Sequence, residues 1–273
     1  MKKFKLLTTI IALLFLTACS DDDNDKKSVT GDYYPSTENN YWNYDVKTKD
    51  NNADDTQSQD FIAVKSSSST SFVLEANSGN IANGTMNILL TNGTLYKTES
   101  TLTEKGKLQL PIEGFDDFSI DFNSAVLYDL NADRNETLSL YDGEFTKELQ
   151  GFPITIEYKL VFTKIDNQNS LKVNNNTYTN VIGTNIALNV SMHTTIEVQG
   201  NETEFSLIDS QDILSIDSYY AENIGLIKAN AIIEFELDST TILLLETLGV
   251  EFDIPTSQSI TNTQELSSYF IGD

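Results

Sequence analysis

The sequence predicts an all-β protein, mainly antiparallel, built as one large curved sheet with at most one or two short helices. Three observations predict it. From Gly31 onward, apolar and polar residues alternate with a period close to two, the pattern of half-buried strands. Asn-Gly, Asp-Gly and similar pairs punctuate the alternating runs, and such pairs supply the positive φ angles of tight hairpins. The polar phase of the alternation is Asn, Ser, Thr and charged residues, as on the wet face of an antiparallel sheet.

The first segment is an address. Residues 1–18 read as a signal peptide, with Lys2, Lys3 and Lys5 as a positive start and Leu6 to Leu16 as a short apolar run, too short to span a bilayer. Leu16-Thr17-Ala18-Cys19 closes it. This resembles the bacterial lipobox, which implies cleavage before Cys19 and acylation of its sulfur and new amine. Several acyl chains on Cys19 would hold the protein to a membrane, where a single chain binds only marginally. Ser20-Asp21-Asp22-Asp23-Asn24-Asp25 follows, a self-repelling extended run. It resembles the acidic tether of surface lipoproteins of Bacteroidota, which implies an outer-membrane anchor at Cys19 with the body exposed on the cell face; a periplasmic orientation is the alternative. Residues 19–30 are therefore assigned to the anchor and tether, and 31–273 to one antiparallel β domain, with two stacked β domains as the alternative.

Within the body the strands follow in order. Phe118, Ile120 and Phe122 alternate briefly. Ile154, Ile156, Tyr158, Leu160 and Phe162 do so against Thr155, Glu157, Lys159 and Thr163. The clearest run is Ile186 to Val198, where Ile186, Leu188, Val190, Met192, Ile196 and Val198 share one face and Thr194 is its polar member. Ala231, Ile233, Phe235 and Leu237 form another. Turns are expected at Asn83-Gly84, Asn92-Gly93, Lys105-Gly106, Asp142-Gly143 and Gln199-Gly200-Asn201, with polar loops over Asp50 to Asp60 and Lys65 to Thr70. Ser239 is placed to cap a helix through Thr240 to Leu248 with Gly249 as its stop, packed on the concave side of the sheet; a buried strand is the alternative.

Tyr34-Pro35-(x)4-Asn40-Tyr41-Trp42-Asn43-Tyr44, Val173-(x)4-Tyr178-Thr179-Asn180-Val181, Tyr220 to Lys228 and Gln264 to Tyr269 resemble segments of secreted Bacteroidota proteins akin to the open β-barrel carriers of the lipoprotein-localisation type. The resemblance implies a half-barrel wrapped around helices and an apolar cavity. It implies no catalytic residue.

Charge and composition narrow the function. The formal net charge is −24, from 17 Lys plus Arg against 41 Asp plus Glu, which argues against nucleic acid as a partner. One Cys and one His exclude an internal disulfide and His-pair metal sites. Tyr33, Tyr41, Trp42 and Tyr44 crowd the start of the domain. They are candidate glycan-binding residues, with Tyr33 and Tyr41 expected outside and Trp42 with Tyr44 expected to pack inward on one strand side. Asp129, Asn131, Asp133 and Asn135 alternate like the front of a calcium loop, but Arg134 and Leu140 stand where its glycine and bidentate glutamate belong, so a solvated turn is the competing reading. Calcium is the one cofactor candidate. His193, on a polar strand face, has no local catalytic partners. Asp116-Asp117 and Glu202 with Glu204 are the carboxylate pairs a hydrolase could use. The sequence thus points to a lipid-anchored, non-catalytic outer-membrane protein with a binding or envelope role, its ligand apolar and held in the sheet. A glycan- or protein-binding surface module is the first alternative and a carboxylate hydrolase the second.

Overall fold

A computed structural model describes residues 29–109, 119–149, 151–198, 200–249 and 255–272. The segment read as a signal peptide, Cys19 and residues 20–28 of the segment read as a tether lie outside the described residues, as do Asp116, Asp117 and Phe118, whereas Val29 and Thr30 at its end are described. The described chain is a mainly antiparallel sheet of twelve strands with two short helices: β1 (Tyr41–Asp50), β2 (Thr56–Ser67), β3 (Ser71–Ala76), α1 (Thr85–Thr91), β4 (Thr94–Lys97), β5 (Thr101–Gln109), β6 (Ser119–Asp129), β7 (Thr137–Leu149), β8 (Phe152–Val173), β9 (Asn176–Val198), β10 (Asn201–Ala221), β11 (Gly225–Glu236), α2 (Ser239–Thr247) and β12 (Ser257–Phe270).

The strand order is β6-β5-β4-β3-β2-β1-β12-β11-β10-β9-β8-β7, a meander curled until its edges meet. The two edge strands, β6 and β7, follow each other in the chain yet share no ladder. Instead the Val126 N–H donates to Ser139 Oγ at 2.9 Å, and the rings of Phe122 and Tyr141 lie 5.9 Å apart. The barrel is thus nearly closed, and each edge shields the other from foreign strands.

Alternation decides what faces in. Ile186, Leu188, Val190, Met192, Thr194 and Ile196 are buried as their phase requires, and the Thr194 hydroxyl is satisfied by the Pro153 carbonyl at 2.8 Å. Ile154, Ile156, Leu160 and Phe162 face the same core, as do Ala231, Ile233, Phe235 and Leu237.

Several glycines do other work than turning the chain. Asn83-Gly84 and Asn92-Gly93 bracket α1. Gly93 and Gly106 face each other at the start of β4 and within β5: a Cβ on Gly93 would collide with the Lys105 carbonyl, and one on Gly106 would lie 3.2 Å from the Gly93 Cα. Gly143 sits inside β7, where a Cβ would come within 2.9 Å of Tyr158 Oη. These are sites of close approach rather than hairpin turns. Gly200, with φ +82, does turn the β9–β10 hairpin. The polar loop expected before Phe61 is also corrected, because β2 begins at Thr56 and carries Asp60 inward.

α1 has no local cap. Its first amides are met by side chains from distant strands: Gly84 N donates to Asp60 Oδ2 at 2.8 Å, Thr85 N to Asn262 Oδ1 at 2.9 Å and Met86 N to Gln264 Oε1 at 3.1 Å. The helix is thereby held inside the barrel, with Met86, Leu89 and Leu90 buried. α2 is a helix, as the 239–249 segment suggested, but its cap is Asp238, whose carboxylate accepts the Thr241 N–H at 2.7 Å. Gly249 follows at φ +90. Ile242 and Leu245 are buried, whereas Leu248, expected on their face, is exposed.

The end of the barrel where β1 begins is covered twice. Tyr33 and Tyr34 of the leading segment insert there, beside Tyr128, Tyr220, Trp42 and Phe72. The long β8–β9 hairpin slips register between Ile165 and Gln168, opposite Gly183, where a Cβ would lie 2.8 Å from Ile165 Cγ1. Past that bulge, which re-aims the strands, its tip reaches β12 and Asn174 Nδ2 donates to the Leu266 carbonyl at 3.0 Å.

Candidate functional site

Four segments singled out in the sequence meet in space. Trp42 Nε1 donates to the Ile224 carbonyl at 2.6 Å and Tyr44 Oη to the Leu226 carbonyl at 2.8 Å. Asn39 and Asn223 both take positive φ, at 75° and 61°, a conformation Asn tolerates better than most residues. Trp42 and Tyr44 are fully buried, in keeping with their shared inward phase. Burial first, and then the neighbouring phenols and Asp60, push the Tyr44 hydroxyl pKa well up. Tyr33 departs from its expected place outside: it keeps only 8% of its surface and packs edge-on against Tyr128 at 6.2 Å. Apolar packing at the barrel mouth outweighs the polarity of its flanking residues.

Tyr41 alone of the four points outward. It stands between two rings that the sequence reading did not single out, with Phe61 of β2 at 5.5 Å and Phe270 of β12 at 5.8 Å. Phe61 is 39% exposed and Phe270 48%. Phe61 was hidden because Phe61-Ile62-Ala63-Val64 is apolar in both phases, and the register of β2 was needed to choose one. Beside the row, Gln59 Nε2 donates to Asp45 Oδ1 at 3.0 Å and Asn43 Nδ2 to Ser268 Oγ at 3.0 Å. A groove of about 450 Å³ opens there, lined by Asp45, Lys47, Gln57 and Gln59.

The Asp129 to Asn135 segment forms the β6–β7 turn. Asp129 Oδ1 accepts the Asn131 N–H at 2.8 Å, Asn131 Oδ1 accepts the Val29 N–H at 2.7 Å, and the Asp133 N–H donates to Glu136 at 2.7 Å. Asn135 takes φ +64, and Arg134 pairs with Asp166 at 3.0 Å. The oxygens of Asp129 and Asn131 thus brace the turn and the leading segment. Among the described residues no three His, Cys, Asp or Glu side chains gather as metal ligands.

His193 lies 3.9 Å from Glu204 on the outer face of β9 and β10, and Glu202 is exposed on the same sheet face. Inside the wall, four ionisable groups among the described residues have no hydrogen-bond partner. Neither carboxyl oxygen of Glu104 has a hydrogen bond, and burial holds its pKa well above the usual carboxylate range. The Tyr34 and Tyr220 hydroxyls are also unpartnered, although Ser218 and Thr184 stand beside the latter. The Lys164 amine, buried and unbonded, is pulled down to about 8 by burial, with Asp129 opposing. One small pocket lined by α1, β5 and Leu214 of β10 holds about 10 Å³, about one water molecule's room.

No helix among the described residues is long and apolar enough to cross a membrane. Comparison with protein-family models, curated proteins and solved structures finds no match to this chain.

Proposed function

We propose that this chain is a lipid-anchored binding protein of the outer membrane, held by acylated Cys19 and displayed on the cell face, with a non-catalytic role. The observation that carries the reading is how the leading segment is bound. Val29 N donates to Asn131, Gly31 N to the Glu99 carbonyl at 3.0 Å, and Asp32 receives both Lys97 at 2.9 Å and the Asn223 N–H. Residues 29–34 are therefore a fixed part of one barrel end. The ten residues back to Cys19 span at most about 35 Å. An anchor at Cys19 would hold that end toward the bilayer and present the side walls to solvent.

Support for an external ligand comes from the outward row of Phe61, Tyr41 and Phe270 and from the open groove further along β1 and β2 lined by Asp45, Lys47, Gln57 and Gln59. Cells fed a fatty-acid probe should label the wild-type protein and leave Cys19→Ser unlabelled and released from the membrane fraction. Protease added to intact cells should remove the body. A labelled protein that resists shaving until the outer membrane is opened would place it on the periplasmic side. Equal membrane retention and labelling of Cys19→Ser would overturn the anchor.

A further inference from the structure

We infer that the outer face of β2, β1 and β12 is a binding site for an uncharged glycan, with the Phe61–Tyr41–Phe270 row as its stacking surface. The inference rests on the binding-protein reading above and names its ligand. Strand register puts Tyr41 opposite Phe270, Asn43 opposite both Phe61 and Ser268, and Asp45 opposite both Gln59 and Glu265. Apolar rings and polar groups therefore adjoin on one face, about 5 Å apart across strands and about 7 Å along them. That is the mixture a sugar presents in reverse, with C–H faces that lie on rings and hydroxyls at the rim. An amide such as Asn43 or Gln59 can donate twice and accept twice, so its single bond within the face leaves capacity for a hydroxyl.

Charge selects among glycans. Asp45 and Glu265 lie on this face with the exposed Lys47, and Lys228 is engaged by Glu265 at 2.8 Å, so the face carries no cluster of free cations for an anionic sugar. With a net charge of −24, a sulfated or uronic polymer would be repelled. The adjoining groove of about 450 Å³ falls within the range of sites that hold small organic ligands. A row of cross-strand rings can also serve only to steady the sheet, and the test separates the two roles.

Full-length protein extracted from membranes in mild detergent is run through native gels containing laminarin, soluble starch or galactomannan, and through gels containing dextran sulfate. At least one neutral polymer should retard it and dextran sulfate should not. Phe61→Ala with Phe270→Ala should weaken retardation at least about tenfold with little change in the thermal midpoint, and Ile232→Ala, an exposed apolar residue on β11, should leave it unchanged. If the double variant does not fold, Phe270→Ala alone, at the last position of β12, gives the same reading. No retardation by any neutral polymer, or equal retardation of the ring variants, overturns the inference. The fatty-acid label on the same preparation keeps the two levels apart. A labelled protein that ignores every polymer refutes the glycan site alone, whereas an unlabelled one refutes the anchor beneath it.

Discussion

Glu104 and Asp60 are two buried carboxyls that respond to pH in opposite senses. Glu104, with no partner and a folded pKa raised above its ordinary 4.5, binds its proton more tightly in the native state than in the unfolded chain. Its contribution is complete below pH 4.5 and is lost as pH rises toward the folded value. Replacing Glu104 by Gln should therefore raise the unfolding midpoint at pH 8 and leave it nearly unchanged at pH 4, as followed by circular dichroism on heating. Asp60 runs the other way. Burial opposes its charge, but hydrogen bonds from Asn87, Asn83, Gly84 and Asn77 outweigh that and hold its pKa below the ordinary 3.8. Its support is present above pH 3.8 and disappears as acid protonates it, so Asp60→Asn should flatten the acid limb of the same curve.

Those two carboxyls also bound an element, since Asp60 receives the entry to α1 and Glu104 lies beside Gly93, just past its exit. A Cβ on Gly93 would sit 2.8 Å from Glu104 Oε1 besides striking the Lys105 carbonyl. Gly93→Ala should cost about 1–3 kcal/mol through overpacking, measured by urea denaturation, whereas Gly79→Ala, with nothing within 4 Å, should cost only the strain of its positive φ. The same element marks where sequence reading runs out. Strands such as Ile186 to Val198 were legible because each residue's phase is its own. α1 was not, because its cap is written at positions 60, 262 and 264, and the Asn-Gly pairs that flank it resemble hairpin turns. α2 was legible because a local cap precedes it and a stop glycine follows it, and only the capping residue shifted, from Ser239 to Asp238. The candidate site divides the same way: Tyr41 stood out in its aromatic cluster, while Phe61 and Phe270 joined it only through strand register.

At the scale of the whole molecule, the pairing of β1 with β12 joins residues as far apart in sequence as Asn43 and Ser268. Contacts that close such long loops slow folding. The refolding rate should therefore be limited by this ladder, with Trp42, bonded to Ile224 across the same joint, as its sensitive reporter. The barrel carries two interruptions of different kinds. Between β6 and β7 the hydrogen-bonded ladder stops while the polypeptide runs on; between β12 and β1, the last and first strands of the described chain, the ladder runs on without a connecting turn, with Gly272 N still donating to Asn40 Oδ1 at 2.9 Å. Each gap is bridged by the kind of bond the other lacks. A circularly permuted protein, with 272 joined to 29 through a flexible linker so that Tyr33 and Tyr34 are kept, and opened in the turn at 130–136, would bring both gaps to a single place. All eleven strand pairings would remain, and the permutant should fold to the same sheet with a faster refolding phase.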